Sequence, residues 1–226
     1  SMVTGKHDYQ ISVTPATFDA AGKEEQTCKV CGKHELLKVL PRLEKFKDVD
    51  SKKWYADYVA KAVSAGLFKG YEDNTFKPEA AITRAEVVTV VARVAGVNTK
   101  KYSTSRFSDV PKGHWANGAV AWAEQNKIIS GKSAGRFAPD DKITREELCT
   151  ILVRYARSQN ITLKATVSKT KFADDKQISS YAKENVYTCQ RAGIISGREK
   201  NMFAPKASAT RAEISKVFVE FLNVIA

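Results

Sequence analysis

This chain of 226 residues has little of what most enzymes need. It holds three histidines, and it lacks an HExxH, a G-x-S-x-G and a phosphate-cradling glycine loop, so the common zinc, serine-nucleophile and nucleotide chemistries have no anchor in it. No apolar run approaches the roughly eighteen residues of a membrane span, which predicts no membrane insertion. Cysteine is sparse. The four cysteines are one Cys28-x-x-Cys31 pair and two isolated residues, Cys149 and Cys189. That is too few for a disulfide-built scaffold, and the core must come from packing. No cleavable leader is visible. Ser1-Met2 reads as a tag remnant, which predicts a piece of a longer protein carrying other domains.

Positive charge is plentiful. The formal net charge is +12, and all but +1 of it lies beyond residue 45. A surplus of that size favours an anionic partner: nucleic acid, an anionic membrane surface or an acidic polysaccharide. Solubility alone is the competing explanation. The lysines are scattered rather than packed on one recognition helix, which argues against nucleic acid. A basic helical-repeat nucleic-acid-binding protein stands as the alternative function.

The dominant pattern is a segment used three times. Arg84, Arg145 and Arg211 recur at spacings of 61 and 66, and Pro78, Pro139, Pro205 and Gly70, Gly131, Gly197 keep the same two spacings. Repetition of this length marks one supersecondary unit used three times. Each copy predicts helix, loop, helix. The first helix starts near Trp54, Trp115 or Tyr181, with Val59, Val120 and Val186 on its inner face. Gly66 and Gly193 sit where a left-handed stop is expected; the second copy has Lys127 there, with Asn126 as the candidate substitute.

The second helix opens on Thr83-Arg-Ala-Glu86, Thr144-Arg-Glu-Glu147 or Thr210-Arg-Ala-Glu213, each a capping box. Apolar residues follow at i, i+3, i+4, i+7 spacing: Val87, Val90, Val91, Val94; Leu148, Ile151, Leu152, Tyr155; Ile214, Val217, Phe218, Phe221. Three such stripes predict a mainly α chain built on a central three-helix bundle with pseudo-threefold symmetry. The links Gly96–Arg106 and Gln159–Lys171 are polar connections.

The capping box explains its Thr and Glu but not its Arg. A cation at the first helical position opposes the helix dipole, and a thrice-repeated one suggests anion capture by a bidentate fork. An internal pair with Asp48, Asp109 or Asp174 is the other explanation. Those aspartates themselves fit a turn role or ligand contact. Trp54, Trp115 and Tyr181 fit core packing or stacking on a sugar face. Gly70, Gly131 and Gly197 fit a tight turn or close approach of a ligand.

The residues Phe46-Lys-Asp48-Val, Trp54, Gly70, Phe76-Lys-Pro78 and Ile82-Thr-Arg84-Ala-Glu86 resemble the S-layer homology (SLH) domain. So do Phe107-Ser-Asp109-Val, Trp115, Gly131, Phe137-Ala-Pro139, Ile143-Thr-Arg145-Glu-Glu147, and Phe172-Ala-Asp174-Asp, Tyr181, Gly197, Phe203-Ala-Pro205, Ala209-Thr-Arg211-Ala-Glu213. The resemblance divides the chain into repeats at 46–106, 107–171 and 172–226 after a small module at 1–45. It implies a pseudo-trimer with grooves between neighbouring repeats. It also implies a non-catalytic, extracellular anchor that holds a secondary cell wall polysaccharide, often capped by pyruvylated N-acetylmannosamine, at the cell surface. Arg84, Arg145 and Arg211 are the first ligand candidates on that basis. Glu146, placed beside Arg145, and the departures Asp175, Tyr181 and Ala209 in the third copy predict unequal grooves, with the third silent.

Residues 7–45 alternate in short stretches and predict two or three strands. Thr14–Lys23 followed by Cys28-Lys-Val-Cys31-Gly resembles small Cys-containing β-modules on Gram-positive surface proteins. Cys28 and Cys31 supply half a zinc site that His7 and His34 could complete; a local disulfide is the alternative. No other cofactor is implied. Cys149 and Cys189 are expected as buried thiols.

Overall fold

The computed structural model describes residues 6–226; the Ser1-Met2 remnant lies outside them. The chain forms two compact units, 1–77 and 78–226. The boundary falls inside the first repeat rather than between repeats.

The first unit carries a three-stranded antiparallel meander of β1 (Tyr9–Thr14), β2 (Gly22–Cys28) and β3 (His34–Leu40). Tyr9 pairs with Cys28 and Thr14 with Lys23, and a bulge at Glu24/Glu25 interrupts the second ladder. The turn into β2 demands glycine: a Cβ on Gly22 would stand 2.4 Å from the backbone of Thr14 and Ala16. Helix α1 (Ala56–Ser64) follows, with Val59 and Ala62 fully buried.

The second unit holds α2 (Arg84–Val94), α3 (Asn117–Gln125), α4 (Arg145–Ser158), α5 (Ser180–Arg191) and α6 (Arg211–Ile225). All three capping boxes form in full, Thr hydroxyl to N3 amide and Glu carboxylate back to the Thr amide. The stripes of α2, α4 and α6 are buried, apart from a half-buried Val94. Tyr155 of α4 meets Phe221 of α6 with ring centroids 6.0 Å apart.

The three helix starts are tied by a closed ring of backbone hydrogen bonds. Ile143 N–H donates to Ile82 O (3.0 Å), Ile82 N–H to Ala209 O (3.1 Å), and Ala209 N–H to Ile143 O (3.4 Å). The same threefold pattern continues one step on. The first helical amides, of Arg84, Arg145 and Arg211, donate to the carbonyls of Asp141, Ala207 and Ala80. The second amides, of Ala85, Glu146 and Ala212, donate to those of Pro139, Pro205 and Pro78. A helix start leaves its first amides without intrahelical partners. Here each repeat's proline loop satisfies two of them in another repeat, and the Thr cap satisfies the third. These amides are therefore committed to the fold, not open to an anion.

The proline loops are themselves held by the aspartates. Asp48 accepts from the amides of Phe76 and Lys77, Asp109 from Phe137 and Ala138, and Asp174 from Phe203 and Ala204, all at 2.7–2.9 Å. Lys77, Ala138 and Ala204 each adopt φ between 55° and 59°, a left-handed conformation costly for a residue with a Cβ. Two charge-assisted bonds offset that cost. The turn reading of Asp48, Asp109 and Asp174 is the one the geometry displays.

Gly66 and Gly193 end their helices with φ of 72° and 76°. In the second copy Lys127, not Asn126, takes the left-handed position (φ 58°), while Asn126 donates its side-chain amide to Trp122 O. Cys149 and Cys189 are free thiols with no exposed surface, Cys189 Sγ lying 3.8 Å from Cys149 O. The neighbouring Cys149 side chain, then burial, push the Cys189 thiol well up.

Candidate functional site

A groove of about 510 Å³ opens in the second unit. Three repeats contribute to it. Arg84 comes from the start of α2, and Gly131 and Lys132 from the loop after α3. Glu146, Glu147 and Arg154 come from α4. Ser179, Tyr181 and Lys206 come from the third repeat. Four of these side chains are cationic and two are carboxylates, so the lining carries a formal +2.

Arg84 forms the inner wall. Its guanidinium is not an exposed fork reaching for an anion: the residue is only 4% exposed. Nε donates to Phe137 O at 3.0 Å, one terminal nitrogen reaches Ser130 O at 3.4 Å, and the other stands 3.2 Å from Glu147 Oε1. The fork also lies 4.7 Å from the centre of the Phe137 ring. The alternative, a pair with Asp48, Asp109 or Asp174, is not formed by Arg84 among the described residues, because those aspartates are spent on the loops. The partner is instead the capping-box Glu of the next repeat.

Glu147 thus serves twice: it caps Thr144 and pairs with both Arg84 and Lys132. Burial pushes its carboxyl up, but Lys132, the Thr144 amide and Arg84 outweigh burial and hold it below the usual carboxylate range. Glu146 is 3% exposed and accepts from the Ser179 amide and hydroxyl and from Lys206. Its charge therefore enters the Arg84 groove and does not shield Arg145. The Tyr181 hydroxyl stands 3.5 Å from Glu146 Oε1. Burial of the hydroxyl, then the Glu146 charge, push it up to about 12, so it stays a donor at any physiological pH.

Tyr181 is 52% exposed, Trp54 57% and Trp115 63%. Core packing, one of the two roles open for them, is excluded for all three. Each leaves more than half of its surface to solvent, although Trp115 is stacked by His114 with ring centroids 5.7 Å apart.

Arg145 repeats the Arg84 arrangement with different surroundings. Nε donates to Phe203 O at 2.7 Å and a terminal nitrogen to Ser196 O at 2.9 Å. No carboxylate stands within ion-pair distance of it among the described residues. Burial, then the nearby Arg198, push its guanidinium down from the ordinary arginine value, and Arg198 is paired with Glu213 at 2.7 Å. Arg211 is 6% exposed, with its amide bonded to Ala80 O.

Gly70, Gly131 and Gly197 have no positive φ. Each is small because a phenylalanine of the F-x-D entry crowds it: a Cβ would lie 2.1 Å from Phe46, 2.6 Å from Phe107 and 3.0 Å from Phe172 respectively. Gly131 alone also lines the groove described above. Sequence reasoning passed over Lys132, Arg154, Ser179 and Lys206. A signal existed for the first: a cation follows the repeat glycine in two copies, Lys132 and Arg198.

At the other end of the chain, Cys28, Cys31 and His7 converge, their donor atoms all within 4.8 Å of one another. His34 does not join them; it contacts Thr27 and Glu25 instead. No disulfide links the two cysteines.

A family model described as "S-layer homology domain" matches residues 45–88, 106–149 and 171–214, each window running from the F-x-D entry into the capped helix. Among curated relatives, the chain is similar to "Exoglucanase XynX" of Acetivibrio thermocellus, at 33% identity over 82% of this chain and 17% of that protein. It is similar to "Cellulosome-anchoring protein" of the same organism, at 32% over 66% of this chain and 34% of that protein. It is also similar to "Surface-layer 125 kDa protein" of Lysinibacillus sphaericus, at 30% over 71% of this chain and 13% of that protein. The chain thus spans about a third or less of the length of these relatives.

Proposed function

Because the chain belongs to the S-layer homology family, whose domains act as cell-wall anchors, we propose that it tethers a larger surface protein by holding an anionic secondary cell wall polysaccharide, pyruvylated at its terminal sugar, in grooves between repeats. The carrying observation is the lining of the Arg84 groove: four cations against two carboxylates around a cleft of about 510 Å³, with a half-exposed aromatic at its rim.

The buried guanidinium has a defined part in this reading. Its Nε and one terminal nitrogen are fixed by the Phe137 and Ser130 carbonyls, so it is oriented before a ligand arrives, and no side-chain entropy is lost on binding. Glu147 neutralises part of its charge and divides itself between Arg84 and Lys132. A ketal carboxylate entering the groove would meet Lys132 and Lys206, both far more exposed than Arg84, and Tyr181 would lie against the sugar ring. Arg84, Arg145 and Arg211 act as ligand-orienting residues, and Trp54 and Trp115 carry the stacking role in their repeats. Asp48, Asp109 and Asp174 and the three repeat glycines serve the ligand indirectly, by shaping the loops.

Catalysis lies outside this chain. The relative named as an exoglucanase matches it over only 17% of that protein's length, and both groove carboxylates are engaged by lysines.

The test is sedimentation of the full chain with purified wall sacculi, before and after mild acid removal of pyruvyl groups. Binding that drops at least tenfold on depyruvylation supports the reading. Unchanged binding overturns the anionic-cap assignment. Equal binding to generic DNA with a steep salt dependence would favour nucleic acid instead.

A further inference from the structure

Outside the groove, one cluster of chemically capable side chains has no part in wall binding. The antiparallel ladder pairs Tyr9 with Cys28, and the Lys29 amide extends it by donating to Asp8 O at 2.8 Å. The next position along β1's entry is His7, which the ladder brings alongside the Cys28–Cys31 turn. That turn is tight. Gly32 N–H donates to Cys28 O at 2.9 Å, Cys28 N–H to Lys33 O at 2.8 Å, and Gly32 takes φ 73°.

The distances fit one ion. With Zn–S near 2.3 Å and Zn–N near 2.05 Å, tetrahedral angles require S···S of about 3.8 Å and S···N of about 3.6 Å. The Cys31 Sγ to His7 Nδ1 separation is 3.4 Å, and no pair among the three donor atoms exceeds 4.8 Å. The spacing closes on a metal by shifts of a few tenths of an ångström to one ångström.

The module also needs a staple. Within residues 6–45 the buried apolar side chains are Ala16, Phe18 and Cys28 alone, while Ile11, Val13, Leu36 and Val39 are all more than half exposed. So thin a core rarely holds a small β-module without a metal or disulfide. We propose that Cys28, Cys31 and His7 form a zinc site with two sulfur ligands and one nitrogen, which clamps the entry of β1 to the β2–β3 turn and leaves a fourth position to water. The open side follows from exposure: Cys28 is buried, but Cys31 and His7 both face solvent. A donor set of two thiolates and one imidazole selects zinc or copper(I) over magnesium or calcium.

The experiment uses the full chain, stripped of metal under reductant and titrated with Co²⁺. A sulfur-to-cobalt charge-transfer band that saturates at a single equivalent and is bleached by Zn²⁺ is the expected result. His7→Ala weakens uptake by at least about tenfold, Cys31→Ser by more, and His34→Ala leaves it unchanged. Far-UV dichroism of each variant shows whether its helices remain folded, and Zn²⁺ raises the Tm of the wild-type chain but not of Cys31→Ser. Absence of the band in the wild-type protein overturns the site. So does uptake indifferent to His7→Ala. A Cys28–Cys31 disulfide that forms in the metal-loaded protein and expels the ion, seen as a loss of two hydrogens in the mass spectrum, overturns it as well.

Discussion

Arg84 and Arg145 open equivalent helices, follow equivalent threonines and fix equivalent pairs of carbonyls, yet their electrical settings differ. Arg84 has a carboxylate at 3.2 Å; Arg145 faces Arg198 and has none within ion-pair distance among the described residues. The corresponding glutamate, Glu213, is taken by Arg198 at 2.7 Å, whereas Glu147 divides itself between Lys132 and Arg84. The repeat therefore dictates the backbone frame, and the residue after the repeat glycine decides how much charge the frame presents. An arginine there claims the carboxylate with its own fork; a lysine, a point charge, leaves room for a second cation.

The largest effects come from cutting these arginines out. Arg84→Ala and Arg145→Ala each take the charged donor from one buried carbonyl, Phe137 O or Phe203 O, and from a part-buried one, Ser130 O or Ser196 O, and each is expected to lose about 3 kcal/mol of unfolding free energy in urea. The contrast lies in the coupling to Glu147. A double-mutant cycle between Arg84→Ala and Glu147→Gln should give an interaction of about 1–3 kcal/mol. The same cycle with Arg145→Ala should give close to zero. Equal coupling in both cycles would dissolve the distinction.

Next comes the glycine between loop and entry phenylalanine. A Cβ on Gly131 would lie 2.5 Å from the carbonyl oxygens of Ser133 and Arg136, which are backbone and cannot step aside. On Gly197 the nearest atom is the Phe172 ring at 3.0 Å. Gly131→Ala should destabilise by about 3 kcal/mol and Gly197→Ala by about 1 kcal/mol, measured by the same urea titration. A reversed order would mean the second repeat's loop is the more yielding of the two.

The glycines and capping boxes show what sequence reading can reach. A capping box is local: Thr83 and Glu86 sit three residues apart and meet nothing else to do their work, and the stripe behind them is fixed by helical period alone. The helix starts and the burial of the stripes behind them were legible for that reason. The fate of Arg84 was not, because its acceptors, Phe137 O and Ser130 O, lie 53 and 46 residues along the chain. The exposure of Trp54, Trp115 and Tyr181 was open for a related cause. An aromatic at a helix entry has the same sequence signature whether it turns in or out. Lys127 in a left-handed stop defied the residue preference because the loop after α3 is held at both ends, and the strain is absorbed there. Of the groove, sequence gave Arg84, Gly131 and Tyr181, each nominated for a different repeat's site; only folding brings the three to one cleft.

A smaller effect follows from pH. The Glu147 carboxyl is depressed in the folded chain, so it binds its proton more readily when unfolded. Its contribution to stability is therefore fully present above the ordinary value near 4.5 and is lost as pH falls through the lower folded value. Wild-type stability should decline below about pH 4.5, and Glu147→Gln should flatten that part of the curve. Lys132→Ala, which removes the stronger of its two cationic partners, should flatten it partly. If Glu147→Gln leaves the acid limb untouched, the pairing with Arg84 does not persist in solution.

The finest discrimination is at Glu146, where the second repeat alone carries an acid. The other two copies have Ala85 and Ala212 at that position. Glu146→Ala restores the common motif and raises the groove's formal charge from +2 to +3. A unit charge removed from a half-open cleft at physiological salt changes the binding of an anion by about 1 kcal/mol, roughly fivefold. The same substitution strands Ser179 N–H and frees Lys206, so the fold loses stability while the groove gains attraction. Affinity for pyruvylated wall polymer should therefore rise about fivefold as the Tm falls, a divergence that few substitutions give. Tyr181→Ala, by contrast, should lower affinity by about 1 kcal/mol with the Tm unchanged, since half of that ring already faces water. Should Glu146→Ala weaken binding instead, the carboxylate contacts the ligand, and the groove recognises sugar hydroxyls at that end rather than acid groups.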